Sequence, residues 1–210
     1  MKSKTAAFIL KTLGWSWDNS LPPEDKFLVL GVPHTCLMDM PLAFLFDKAL
    51  GGSMRIMVKE RFFKIPGLRW ALHKMSALPL REDNRCGIID QMVEAYEKYD
   101  RISFGIAPEG TRKPIKRWPR GFHAIATKAG VPLYVGGIDW KRKYITYGER
   151  IELTEDSHKD LFNVQMYYYL HRDSYIGRHP ERFTFMDEVY EKGREIEEAA
   201  REKNCDNTED

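Results

Sequence analysis

The sequence predicts a single α/β domain with a central mixed, largely parallel sheet flanked by helices. Short apolar runs suited to strands buried on both faces, such as residues 26–32 (KFLVLGV) and 101–107 (RISFGIA), alternate with segments whose apolar residues recur every three or four positions. The 210-residue length fits one domain, and 43% apolar residues with 12% aromatics supply a full core.

Residues 1–20 read as an N-terminal amphipathic helix, mixing Lys2, Lys4 and Lys11 with Phe8, Ile9, Leu10, Leu13, Trp15 and Trp17. Such a helix suits the headgroup boundary of a bilayer; a first helix that packs on the domain accounts for the same residues. No signal-peptide cleavage site is present. After the turn at residues 19–23, the main domain covers residues 21–203. Strand 26–32 stops at Pro33. Residues 40–50 read as a helix, with Pro41 near its start, where a missing N–H does no harm, and Gly51 and Gly52 at its end. Residues 54–58 are strand-like, 60–74 helical with an interruption at Pro66 and Gly67, and 76–80 a short strand. Ile88, Ile89, Met92, Val93 and Tyr96 put one apolar face on a helix over 84–99. A strand over 101–107, a helix over 122–129 closed by Gly130, and a strand over 131–138 follow. Residues 143–146 and 150–153 read as edge strands around Gly148, residues 159–171 and 185–203 as helices, and 204–210 as a frayed tail.

Lys and Arg number 33 against 31 Asp and Glu, a net charge of +2. Any electropositive function is therefore local, which speaks against an extended nucleic-acid footprint. Cys36, Cys86 and Cys205 lie far apart, with no CxxC pair and no histidine at ligand spacing. That argues against a disulfide framework or a zinc site and for a reducing cytoplasm. No stretch reaches the roughly 18 apolar residues of a membrane span. The GxSxG elbow of hydrolases and the Walker A and GxGxxG nucleotide motifs are missing.

Two constellations leave the carboxyl ends of buried strands, where open α/β sheets bind ligands. The first is His34 with Asp39. A five-residue spacing does not share a helical face, so the pair meets only if the chain bends between them. The carboxylate would then fix the imidazole tautomer and leave the other ring nitrogen free to take a proton. Asp39 as the cap of the helix containing Pro41, beside an ordinary loop histidine, accounts for the same residues. The second constellation is Ala107-Pro108-Glu109-Gly110-Thr111-Arg112. Gly110 permits a turn that other residues resist, and Arg112 offers a planar fork suited to phosphate. Lys113, Lys116, Arg117, Arg120 and Lys128 follow, with Trp118 among them, as a phosphate-sized positive patch or a solvated basic face.

The stretches His34-Thr35-Cys36-Leu37-Met38-Asp39 and Pro108-Glu109-Gly110-Thr111-Arg112 resemble the HxxxxD and PEGTR pair of the glycerolipid acyltransferases, the 1-acylglycerol-3-phosphate acyltransferase family. Ala77-Leu78-Pro79-Leu80-Arg81 resembles the block whose strand delivers an arginine to the phosphate pocket, and Val131-Pro132-Leu133 the apolar strand lining the acyl side. All four stand in family order. Ala107, Lys113 and Tyr134 depart from the family's frequent Phe, Ser and Pro.

The resemblance implies transfer of a fatty acyl group from acyl-CoA or acyl carrier protein to the hydroxyl of a lysophospholipid, 1-acylglycerol-3-phosphate foremost, in phospholipid synthesis. It makes His34 the general base and Asp39 its support. Arg81 and Arg112 would grip the acceptor phosphate, with Lys59 and the basic run as weaker candidates, while Glu109, Gly110 and Thr111 organise the loop or the glycerol hydroxyls. Cys36 is expected only to fill space. No metal or cofactor is expected beyond the donor substrate. The expected partners are the lyso-lipid, the donor and a membrane surface, with no nucleic acid, and the expected location is the cytoplasm, peripherally on the cytoplasmic face of the membrane. Acylation of another lyso-lipid, or non-catalytic lipid binding by the same fold, are the alternatives.

Overall fold

The computed structural model describes residues 2–81 and 85–206. Its elements run α1 (Lys4–Thr12), β1 (Ser16–Trp17), β2 (Lys26–Gly31), α2 (Asp39–Leu50), β3 (Met54–Arg55), β4 (Met57–Lys59), α3 (Leu68–Lys74) and β5 (Leu78–Leu80). They continue with α4 (Arg85–Lys98), β6 (Ile102–Ile106), α5 (Gly121–Ala129), β7 (Leu133–Asp139), β8 (Tyr144–Ile151), α6 (Ser157–Leu170) and α7 (Asp187–Asp206). Six strands form one sheet in the order β1-β8-β7-β2-β6-β3, and only the β7–β8 neighbours are antiparallel. The expected mixed, largely parallel sheet is therefore present.

Alternation along the strands divides the core. Leu28, Leu30, Ile102, Phe104, Leu133 and Val135 point to the face covered from α4, α5, α6 and α7. Phe27, Val29, Tyr134 and Ile138 point to the other, covered by α1 and α2. Because β2 lies between β6 and β7 and runs parallel to both, all three carboxyl ends open on one edge of the sheet. The loops that follow Gly31, Ile106 and Asp139 meet there.

The helix expected over residues 1–20 is shorter. It ends at Thr12, and Ser16–Trp17 instead pairs with β8 at the sheet's outer edge. Ser3 caps α1, its Oγ accepting from the Ala6 N–H, and the Ser3 N–H donates to the Lys48 carbonyl on α2. The expected strand over 54–58 is two strands in different sheets: β3 adds to β6, while β4 pairs with β5 as a separate ribbon. The helix over 60–74 splits, as Pro66 and Gly67 suggested, into a short 3-10 turn at Glu60–Lys64 and α3. Two edge strands around Gly148 are in fact the single strand β8. The backbone of α7 continues to Asp206, so residues 204–206 are helical where fraying was expected; residues 207–210, and Asn84 of the expected 84–99 helix, lie outside the described residues.

Leu10 is fully buried between α1 and α2 whereas Phe8, two residues earlier, is 69% exposed. Leu10→Ala should therefore lower unfolding free energy by about 2–5 kcal/mol, and Phe8→Ala by no more than about 0.5 kcal/mol, in urea titrations followed by circular dichroism.

Candidate active site

The chain bends between His34 and Asp39 because the Asp39 carboxylate gathers the loop around itself. Asp39 is the first residue of α2, yet it does not cap the helix; Met38 holds the cap position and makes no side-chain cap bond. The carboxylate turns back instead. Its Oδ2 accepts from the backbone N–H groups of Thr35 and Cys36, both at 2.9 Å, and faces His34 Nδ1 at 3.2 Å. Its Oδ1 accepts from Trp140 Nε1 at 2.8 Å and from Cys36 Sγ at 3.2 Å. Burial alone would push this carboxyl up, but the hydrogen bonds from His34, Cys36 and Trp140 outweigh it and hold it below the usual range. With Asp39 ionised, His34 Nδ1 carries the proton and Nε2 is left to accept one.

Glu109 enters from the end of β6. Its Oε1 accepts the backbone N–H of His34 at 2.9 Å, so Glu109 holds the backbone of the His34 loop. The residue is buried and Oε2 has no hydrogen-bond partner among the described residues. Burial pushes this carboxyl up to about 7, against the pull of the His34 N–H. Gly110 follows with φ 64°, a left-handed turn that glycine adopts without strain, and its N–H donates to the Ala107 carbonyl. Thr111 Oγ1 accepts from the Lys113 N–H, an internal turn bond. Arg112 is exposed and makes no ion pair among the described residues.

Lys59 ends β4 and Arg81 follows the end of β5. They sit together on the β4–β5 ribbon, where Lys59 pairs with Leu80. Arg81 lines a groove with Glu60 and Glu94, reaches Glu94 at 3.9 Å, and shares no wall with the cavity beside His34. The basic residues after Arg112 are engaged by other elements. Lys116 pairs with Asp187, Arg120 donates to Ser157, Arg117 faces His158 and Lys128 pairs with Asp90, while Trp118 is buried in the core. Cys36 does more than fill space, because its thiol donates to Asp39; burial first, then that carboxylate, pushes it up.

A cavity walled mainly by apolar groups opens beside His34, between α2 and the carboxyl ends of the central strands, with Pro33, Ala43, Phe46, Ile138 and Tyr147 in its walls. Its floor is glycine: Gly31 of β2 pairs with Gly136 of β7, and Gly105 of β6 lies opposite Val29. A Cβ at Gly31 would meet nothing nearer than the Ile106 carbonyl at 3.9 Å, so the missing side chain there is open space. Glycines inside strands signal close approach of a ligand or of another backbone, and that signal was present in the sequence. Trp140 had no comparable signal; it sits in a turn of the Asp139-Trp140-Lys141-Arg142 sequence.

The fold and site together define an α/β protein with a histidine–carboxylate pair at the carboxyl ends of parallel strands, beside a cavity walled mainly by apolar groups. A family model described as Acyltransferase matches residues 18–137, more than half of the chain, and the chain belongs to that family. It is similar to the 1-acyl-sn-glycerol-3-phosphate acyltransferase BAT2, chloroplastic, of Brassica napus, with 29% identity over 118 residues. That match takes in 54% of this chain and 33% of the relative, so the chain spans about a third of that protein's length. The crystal structure of the 1-acyl-sn-glycerophosphate (LPA) acyltransferase PlsC from Thermotoga maritima shares the fold, with a TM-score of 0.51 and 20% identity over 77% of this chain and 73% of that one.

Two predictions follow from the geometry. Trp140→Phe removes one donor from Asp39 while keeping a ring in place, so the Asp39 pKa rises. Turnover should fall about 10-fold or more for the loss of a hydrogen bond to a charged group, read as kcat beside the unaltered protein in a steady-state assay. Glu109 is the opposite case. Its folded pKa is raised from 4.5 to about 7, so its ionisation costs nothing below pH 4.5 and costs increasing stability as pH rises to about 7. Glu109→Gln should flatten that fall, which is of the order of 3 kcal/mol, in paired denaturation curves across the interval.

Proposed function

We propose that this protein transfers a fatty acyl group from a thioester donor, acyl-CoA or acyl carrier protein, to the hydroxyl of a lysophospholipid in phospholipid synthesis, with 1-acylglycerol-3-phosphate as the first acceptor to test. The observation that carries the reading is the His34–Asp39 pair at the mouth of an apolar cavity. His34 Nε2 takes the proton from the acceptor hydroxyl as its oxygen bonds to the thioester carbonyl carbon. The tetrahedral intermediate then expels the thiolate, and the imidazolium returns the proton to the departing sulfur. Asp39 holds the ring and stabilises its transient charge. The apolar cavity suits an acyl chain. No metal or further cofactor takes part in this scheme.

Supply of the acceptor from a membrane fits the surface around the site. Leu37 and Met38, inside the loop that carries His34, are 72% and 45% exposed, and the segment of α1 and its C-cap exposes Phe8, Ile9 and Leu13 together with Lys4 and Lys11. Among the described residues no helix is long and apolar enough to cross a membrane. Peripheral docking on the cytoplasmic face, with these side chains at the headgroup boundary, is the location that this reading takes.

In mixed micelles of palmitoyl-CoA and lysophosphatidic acid, purified protein should release thiol and form the diacyl product. His34→Ala should lose about 10²–10⁴-fold in rate while keeping its circular dichroism spectrum. Equal rates in the two proteins would remove His34 from the chemistry. Binding of the lipids without transfer, across a panel of lyso-lipids and both donor types, would replace the enzyme by a lipid-binding protein.

A further inference from the structure

Beyond residue 137, where the family match ends, a second segment is built directly onto the catalytic loop. Residues 176–182 reach it from the carboxyl-terminal half of the chain. The Trp140 N–H donates to the Ile176 carbonyl at 2.8 Å, the His179 N–H to Thr35 Oγ1 at 3.3 Å, and Arg182 Nη1 to the Thr35 carbonyl at 3.3 Å. Gly177 presses so closely that a Cβ there would lie 2.8 Å from Thr35 Cγ2 and 3.0 Å from Pro33 Cγ. Both neighbours of His34 in the chain are therefore in contact with this segment.

The residue after Gly177 is Arg178. Its guanidinium lies over the ring of Trp140, 5.1 Å from the centroid, and the same indole donates to Asp39. Glu181 lies near His179 at 3.5 Å and Arg182 at 3.8 Å, whereas Arg178 has no ion pair among the described residues. An exposed guanidinium stacked on an aromatic ring keeps its edge donors available for a planar or tetrahedral anion. By contrast, Arg81 lies in another groove beside Glu94.

The sheet order sharpens the assignment. β7 is a parallel neighbour of β2, so the turn that follows it, over which Arg178 sits, opens on the same edge of the sheet as the His34 loop. An acyl transfer of the kind proposed above brings together two ligands that each carry phosphate: a lysophospholipid and a phosphopantetheine thioester. We propose that Arg178, held over Trp140 by residues 176–182, binds the phosphate ester of one of these two substrates at the rim of the His34 site. The proposal rests on the acyl-transfer reading for the identity of the two ligands, and on the geometry for the anion.

Calorimetric titration of the whole protein separates the two sources and does not require turnover. The probes are coenzyme A and a short-chain lysophosphatidic acid, 1-hexanoylglycerol 3-phosphate, with 1-hexanoylglycerol as the phosphate-free comparison. Arg178→Gln should weaken one phosphate-bearing probe at least tenfold relative to 1-hexanoylglycerol, and Arg178→Lys, which keeps the charge but not the fork, should weaken the same probe less. Loss confined to the lyso-lipid assigns the acceptor phosphate; loss confined to coenzyme A assigns the donor. Unchanged binding of both probes in a folded Arg178→Gln protein overturns the proposal. So does a wild-type protein that binds neither, or an equal loss in Lys141→Gln, which would reduce the effect to net charge. A wild-type protein that binds a probe through Arg178 yet transfers no acyl group counts against the proposed activity and leaves the anion site standing.

Discussion

A buried carboxylate must be paid for in hydrogen bonds, and the satisfaction of Asp39 organises everything around it. Three of its donors, the Thr35 and Cys36 N–H groups and the Cys36 thiol, come from the loop that it closes. A fourth, the His34 ring, is the group whose orientation it sets. The fifth, the Trp140 indole, comes from 101 residues further along the chain. Removing any one leaves a charged oxygen less satisfied in a place where water reaches poorly, so loop shape and ring orientation are coupled to the same carboxylate. The start of α2 adds the favourable end of the helix dipole to this balance.

The sheet decides which groups can join. Strands β6, β2 and β7 are parallel neighbours, so Glu109, His34 and Trp140 each leave the carboxyl end of a different strand and converge on one edge. Glu109 holds the backbone at His34 and Trp140 holds Asp39, one from each side. Neither has to touch a substrate to matter: together they restrict the loop in which the imidazole sits.

Local signals were legible where structure is local. The apolar runs of β2, β6 and β7, the Gly51 and Gly130 ends of α2 and α5, and the strand–loop placement of His34 and Asp39 all read directly from the chain. What failed depended on partners distant in sequence. Residues 54–58 carry one strand pattern, yet the Ile56 carbonyl accepts from Leu78 and the chain changes sheets at that point. Gly148 looked like a break, but a Cβ there would lie 2.9 Å from both Tyr175 Oη and Val135 Cγ2, so it is a glycine of close packing inside a continuous strand. The basic run looked like a patch because its counter-charges, Asp90 and Asp187 among them, sit on other helices. The two roles open to Asp39, helix cap or histidine partner, have the same local sequence; only the positions of the Thr35 and Cys36 amides and of Trp140 decide between them.

The same geometry also decides what kind of nucleophile the site can serve. Cys36 lies two residues from the imidazole, but burial raises its pKa and its thiol donates to Asp39, so it is not set up as a thiolate nucleophile. His34 Nδ1 is committed to the same carboxylate, and the ring keeps 17% of its side-chain surface open with the apolar cavity alongside. In the proposed transfer the proton that Nε2 takes comes from the hydroxyl of the acceptor. A hydroxyl carried on a molecule with an apolar chain meets both conditions at once, since the chain has a cavity beside the base and the oxygen has a proton acceptor at its mouth.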